Sequence, residues 1–130
     1  MKRFKITIFL LIFTIGSTLY WYIEYPAHEK LAEARINEYM KLQGIDKSKV
    51  WKKRSSRDSK QGRWEISYKF KDEKKIRYQY MYDKSQDRVL LFVFDDPRMN
   101  GGRTISRGMN HPPLAEGWTE FDQTGKIVTP

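Results

Sequence analysis

Two neighbouring stretches decide the fold, WEISYKF at residues 64–70 and IRYQYMY at residues 76–82. Both alternate apolar or aromatic side chains with polar ones, and this period of two is typical of strands that bury one face. A third run, RVLLFVF at residues 88–94, is apolar on both faces, which favours a central or covered strand. Because a weaker run at residues 50–56 precedes them, the pattern predicts an antiparallel meander of three to four strands.

A moderately amphipathic helix is predicted before the strands, over residues 26–43. It follows the anchor segment almost directly, as a stiff extension of the span. Pro26 suits the first helical position because its missing N–H costs nothing there, and Gly44 suits the end of the helix. A sheet with one apolar face must cover that face, so we expect this helix to pack on the meander and form an α+β domain. The predicted buried side of the helix carries Ala32, Ile36, Tyr39, Met40 and Gln43.

The C-terminal residues 96–130 are expected to form an extended loop and a terminal hairpin. Residues 118–121 and 126–128 flank a turn that ends at Gly125, where glycine can adopt the left-handed conformation that such a turn needs. How this hairpin docks on the meander does not follow from the sequence. The predicted organisation is an N-terminal cytoplasmic stub and transmembrane anchor (1–25), a helix-plus-meander domain (26–95), and the loop and hairpin (96–130).

The N-terminal segment has the pattern of a transmembrane helix. Lys2, Arg3 and Lys5 precede an uncharged run of 18 residues, 6–23, which as a helix spans about 27 Å, close to a hydrocarbon core of about 30 Å. Tyrosines and a tryptophan at its far end resemble an aromatic interfacial belt. The excess of cations before the run predicts a single-pass protein of the cytoplasmic membrane, with its N-terminus inside and its C-terminal domain outside.

A cleaved secretory signal is the alternative for the same segment. Its charged start and apolar centre fit such a signal. The small-residue cleavage pattern is absent, because residues 17–19 end in Leu19 and residues 25–27 place Tyr25 where a small side chain is needed. Both interpretations carry the chain after Glu24 across the membrane, and the protein would be secreted if the segment were removed.

Composition limits the chemistry and localises the charge. The 130-residue chain has no cysteine, which excludes disulfides, thiolate metal sites and a cysteine nucleophile. Its formal net charge is +9, and residues 47–77 contain 13 basic and four acidic residues, whereas the rest balances at 12 and 12. The whole excess therefore lies in one stretch. The candidate polyanion-binding surface within it comprises Lys49, Lys52, Lys53, Arg54, Arg57, Lys60, Arg63, Lys74 and Lys75.

Anionic lipid and anionic cell-wall polymers are the polyanions expected outside a membrane. Each Lys or Arg near an anionic membrane contributes about 1 kcal/mol, and salt screens the attraction beyond about 8 Å. The competing interpretation is that these cations only solubilise an exposed sheet face and protect its edge strand. Nucleic acid is not expected, because the strand alternation assigns the neighbouring aromatic rings to the core, where they cannot stack on bases. Those rings are Trp51, Trp64, Tyr68 and Tyr78.

No catalytic, cofactor or metal site is expected. Asp95, Asp96, Asn110 and His111 have donor atoms suited to a divalent cation, but an Asp-Asp-Pro sequence is common where a strand ends in a turn. The chain has no nucleophile elbow, paired-histidine helix motif or phosphate loop, and Ser106 and His111 lack an evident third partner. We therefore expect a binding protein and not an enzyme.

The sequence resembles a domain-of-unknown-function family of small, membrane-anchored exported proteins of Gram-positive bacteria. The resemblance covers about residues 1–95 and lies in the order of a Lys-rich start, a single span, a short helix ending near residues 39–45, and the alternating residues 62–70. It implies an α+β domain in the cell envelope and transfers no functional residue. The predicted function is an extracytoplasmic binding module with a cationic surface. The alternative is an immunity or accessory protein that engages one secreted peptide or envelope protein through residues 96–118.

Overall fold

The computed structural model describes residues 2–58, 60–96 and 102–128. By contact density the chain divides into two compact units, Met1–Leu31 and Ala32–Pro130. One helix, α1, runs over Lys2–Leu42, and a single 3-10 turn covers Lys47–Lys49. The strands are β1 (Val50–Arg57), β2 (Trp64–Phe70), β3 (Glu73–Asp83), β4 (Arg88–Asp95), β5 (Arg103–Thr104) and β6 (Thr119–Glu120).

The first unit consists of the N-terminal part of α1. Within the described residues, α1 is the one helix long and apolar enough to cross a membrane, and its apolar window has no buried residue. The sequence predicted a helix beginning at Pro26 as a stiff extension of the anchor, and the two segments form one helix with Pro26 inside α1. This continuity has a physical reason. An interior proline loses one helical hydrogen bond, whereas ending the helix there would require a second, unfavourable nucleation.

In the second unit, α1 ends where the sequence predicted. Gly44 has φ +76°, and its N–H donates to the carbonyl of Lys41 at 3.1 Å. The N–H of Ile45 donates to the carbonyl of Met40, also at 3.1 Å. This pair of bonds is a Schellman motif, and it requires a residue that tolerates the left-handed conformation. The left-handed conformation of Gly44 therefore lets the N–H groups of Gly44 and Ile45 satisfy two carbonyls that the helix end leaves open.

The strands form one antiparallel sheet in the order β1-β2-β3-β4-β5, and β6 also pairs with β4. The predicted α+β class is confirmed, with six strands instead of three to four. The difference arises because β5 and β6, two short strands from the C-terminal region, add to β4. As a result β4 has paired strands on both of its edges, which confirms its predicted central position.

The core lies between the last turns of α1 and one face of the sheet, which we call the helix face. The predicted burial of the apolar positions of β2 is confirmed, since Trp64, Ile66, Tyr68 and Phe70 are all buried, but Ser67 and Lys69 between them are buried as well. Five tyrosines dominate this core. The ring of Tyr80 lies edge-on to Tyr39 at 5.7 Å and to Tyr68 at 5.9 Å between centroids, geometries that favour aromatic pairs. The five, hereafter the core tyrosines, are Tyr39, Tyr68, Tyr78, Tyr80 and Tyr82.

The C-terminal region is held by the hydroxyl groups of this core. The N–H of Leu114 donates to the Tyr39 hydroxyl at 2.8 Å, and the N–H of His111 donates to the Tyr78 hydroxyl at 3.1 Å. The predicted terminal hairpin is confirmed by an antiparallel bridge between Phe121 and Ile127 and by φ +84° at Gly125. Of the predicted loop, residues 97–101 lie outside the described residues.

Candidate functional site

Strand β1 forms one edge of the sheet and carries the densest group of cations. Within the part of the chain that the structure describes, it pairs with β2 alone. All seven of its residues after Val50 are exposed. The sequence of β1 explains this, because Lys, Arg and Ser at almost every position provide no apolar face to bury. The opposite edge of β1 therefore presents backbone N–H and C=O groups to solvent.

The cations of β1 lie on both faces of the sheet. Residues directly opposite each other in an antiparallel pair share a face. Lys53 lies opposite Tyr68, which places it on the helix face, and its Nζ is 2.9 Å from Oε1 of Glu33 in α1. Lys52 lies opposite Lys69 and therefore belongs to the other face, which we call the open face. Positive charge consequently borders the free edge on both sides.

Further cations extend this surface beyond the strand. Lys49 lies 3.9 Å from Asp72 in an exposed pair, the kind of pair that contributes little. Arg63 is half-buried, with its guanidinium 4.9 Å from the ring centre of Trp118. It therefore differs from the other eight residues of the predicted surface. Those eight, all exposed, are Lys49, Lys52, Lys53, Arg54, Arg57, Lys60, Lys74 and Lys75.

Two other cations of the basic stretch lie inside the protein. Lys69 is fully buried and donates from Nζ to the backbone carbonyl of Asp96. Arg77 is also buried, and its Nε lies 2.8 Å from a carboxylate oxygen of Asp96. Burial lowers the pKa of Lys69, since removing an ammonium group from water disfavours its charged form. The charge of residues 47–77 is therefore divided between a surface and a buried cluster.

Trp51 is exposed, which corrects the expectation that its ring faces the helix. The register passes from Val50 opposite Phe70 to Lys52 opposite Lys69, so Trp51 is an extra residue at a β-bulge. A bulge of this kind re-aims a side chain, and the indole of Trp51 is 40% exposed. The other three rings, Trp64, Tyr68 and Tyr78, are buried as expected. The sequence does contain one relevant signal, because the ten residues after Trp51, 52–61, are all polar.

Asp95, Asp96, Asn110 and His111 do not assemble into one site. Asp96 forms an ion pair with Arg77. The register of β3 with β4 places Arg77 on the open face. The ring of His111 packs on the helix face, 5.3 Å from Phe70 and 5.8 Å from Tyr78 between centroids. Among the described residues there is no group of three or more His, Cys, Asp or Glu side chains that could hold a metal ion.

A groove in the C-terminal region is a separate feature of the second unit. It has a volume of about 580 Å³ and lies between β4, β5 and residues 112–116. Phe92, which lines it, is 37% exposed, and Leu114 is 36% exposed. This groove coincides with part of the region, 96–118, in which the sequence suggested a contact with a protein partner.

Comparison with known proteins identifies a family without a described activity. The model of the family "Protein of unknown function (DUF3139)" matches residues 1–80, which extend from the start of the chain into β3. No curated protein and no solved structure matches the chain. The expected resemblance to a family of unknown function is thus confirmed over more than half of the chain.

Proposed function

The chain belongs to the DUF3139 family of proteins of unknown function, and from this premise we propose that it is a membrane-anchored binding module. In this proposal α1 crosses the cytoplasmic membrane once with the N-terminus inside. The second unit lies outside, in the envelope of a Gram-positive cell, and β1 contacts the phosphate or carboxylate groups of anionic lipid or wall polymer. The protein acts by binding and not as an enzyme.

The surface of the first unit supports the membrane part of the proposal. The large apolar side chains of residues 6–23 are between 41% and 77% exposed, and a continuous apolar surface of this length marks a membrane interaction. The hydroxyls of Thr7, Thr14 and Thr18 each donate at 2.8 Å to the carbonyl four residues earlier. These hydroxyl groups are hydrogen-bonded within the helix. They therefore need no hydrogen bond to water, which is absent from the lipid interior.

The observation that carries the binding part is the concentration of eight exposed cations along and around one free sheet edge. Charged side chains alone would protect an edge strand from aggregation. Here they also continue past the strand, to Lys60 in the turn after β1 and to Lys74 at the start of β3. At about 1 kcal/mol for each cation near an anionic surface, such a group supplies several kcal/mol at low ionic strength.

The test compares two variants with equal net charge. The full-length protein is placed in nanodiscs of neutral phosphatidylcholine and titrated with polyphosphate by calorimetry. The first variant carries Lys52→Glu, Lys53→Glu and Arg54→Glu. The matched control reverses three exposed cations elsewhere, Arg103, Arg107 and Lys126. Each reversal removes two charges, so both variants have a formal net charge of +3 instead of +9.

We expect the β1 variant to lose at least about 100-fold in affinity, since three attractive charges of about 1 kcal/mol become repulsive. The control should lose much less, and added salt should weaken wild-type binding steeply. Equal losses in the two variants, or binding that does not respond to salt, would contradict a surface localised to β1. Nanodiscs with and without phosphatidylglycerol then distinguish lipid from polymer, because lipid contact should slow amide exchange at β1 only in the anionic discs.

The groove beside Phe92 favours a second candidate function. In this alternative the chain is an immunity or accessory protein for one peptide or envelope partner. In that case a photo-crosslinking residue at Phe92 should capture one protein in native membranes at moderate salt. The same residue at Lys52 should capture none. The reverse result would favour the edge of β1 as the site of contact.

A further inference from the structure

Trp51 is a large apolar side chain that the fold does not bury. In the part of the second unit that the structure describes, it is the one large exposed hydrophobic residue on β1, β2 or β3. Its position at a bulge in an edge strand directs the indole away from the regular register. A tryptophan that lies outside the core and keeps 40% of its surface exposed is a candidate contact for a ligand.

Two ammonium groups accompany this ring. Lys52 Nζ lies 4.4 Å and Lys74 Nζ 4.9 Å from the centre of the indole. Both residues are exposed, so their cation–π contacts are weak ones of the solvated kind. Either ammonium group can therefore leave the ring for an anion at small cost. The three residues come from two different strands, and we call them the Trp51 cluster.

We propose that the Trp51 cluster binds an acidic sugar unit of an anionic glycan. This inference rests on the proposed function and specifies its ligand. The face of a pyranose ring that carries the axial C–H groups is apolar and can stack on the exposed indole. A carboxylate or phosphate at the edge of the same sugar accepts charge-assisted hydrogen bonds from Lys52 and Lys74. One aromatic ring whose two ammonium neighbours can turn from its face to a bound anion thus matches one acidic sugar.

The surroundings of the cluster favour a glycan over lipid. Insertion into a bilayer interface draws on several apolar side chains, whereas Trp51 is followed along β1 by Lys, Arg and Ser alone. A polymer of acidic sugars needs no such group of apolar side chains, since it approaches as a narrow chain and uses successive cations along β1.

The experiment uses the full-length protein in phosphatidylcholine nanodiscs and two probes. Oligogalacturonate presents pyranose rings with carboxylates, and polyphosphate presents charge without a ring. The substitutions are Trp51→Ala and the conservative Trp51→Phe, and the matched control is Phe92→Ala, which removes an exposed aromatic ring of β4 that lies 6.2 Å from the ring of Phe94. Circular dichroism confirms that each variant is folded. Tryptophan fluorescence of the wild type minus that of Trp51→Phe isolates the signal of Trp51.

We expect Trp51→Ala to weaken oligogalacturonate binding about tenfold, the size of one ring stacked on an aromatic side chain. Polyphosphate binding should change by less than about twofold, since charge alone supports it. Trp51→Phe should retain most of the sugar affinity, Phe92→Ala should retain all of it, and oligogalacturonate should alter the Trp51 emission.

The outcomes separate the two proposals. If neither probe binds the wild type, the proposed function fails and this inference fails with it. If polyphosphate binds through Lys52, Lys53 and Arg54 but Trp51→Ala affects both probes equally or neither, only the sugar site is overturned. A single-stranded oligonucleotide that binds with the same dependence on Trp51 would also overturn it, in favour of base stacking.

Discussion

Asp87 connects three parts of the second unit, and its removal gives a quantitative test of the packing. Its carboxylate accepts two hydrogen bonds from Arg35 of α1, at 2.9 and 3.2 Å, and one from the hydroxyl of Tyr82 in β3, at 2.7 Å. Its backbone carbonyl accepts from the N–H of Phe121 at 3.1 Å. Asp87 also has φ +48°, a left-handed conformation that Asp tolerates better than most residues.

The substitution Asp87→Ala should lower the free energy of unfolding by about 3–4 kcal/mol. The Arg35 and Asp87 side chains are 17% and 30% exposed, so their partly solvated bidentate pair is assigned about 2 kcal/mol. Loss of the Tyr82 bond adds about 1 kcal/mol. Alanine in the left-handed conformation adds about 1 kcal/mol more.

Two further variants separate the contributions to this loss of unfolding free energy. Asp87→Gly removes the same contacts without the backbone penalty, and should therefore be about 1 kcal/mol less destabilising than Asp87→Ala. Asp87→Asn retains one acceptor oxygen and the tolerance for positive φ, and should lose about 1–2 kcal/mol. Urea unfolding of the full-length protein in nanodiscs, followed by near-ultraviolet circular dichroism, measures each value. If Asp87→Ala lies within about 0.5 kcal/mol of the wild type, Asp87 does not connect these elements.

Two other predictions concern alkaline stability and topology. Burial raises the pKa of each core tyrosine. The protonated hydroxyls therefore stabilise the fold fully below the unfolded pKa of about 10, and this contribution is lost as the pH rises above that value. Tyrosinate absorbance from the core should appear in one cooperative step together with unfolding, and gradual ionisation of a folded protein would contradict it. For topology, the absence of cysteine permits single-cysteine labelling. A membrane-impermeant maleimide should label Gln86→Cys in intact cells and Lys5→Cys only after permeabilisation, and N-terminal sequencing should find an intact Met1-Lys2 start. The reverse labelling would invert the topology, and a start between residues 18 and 28 would replace the anchor by a cleaved signal.

Local sequence patterns predict some features of the candidate site and miss others. Clustering of Lys and Arg predicted where the positive charge lies in the chain, because charge density is visible without knowledge of the fold. Clustering does not reveal that Lys69, in the same basic stretch but outside the predicted surface, is buried and contacts the backbone carbonyl of Asp96, 27 residues later. It also missed Trp51, because a bulge depends on how two strands align and not on the alternation of either strand.

Local sequence is sufficient to predict the features that depend on neighbouring residues. These are the apolar N-terminal helix, the end of α1 at Gly44, the buried face of β2 and β3, and the final hairpin at Gly125. Each follows from the spacing of apolar side chains along the chain or from a backbone dihedral angle that glycine tolerates. Long-range contacts place β1 at an edge, pair β6 with β4, bury Lys69 and leave Trp51 exposed. These outcomes depend on contacts between residues distant in the chain, whose energies are set only when the strands align and the core closes.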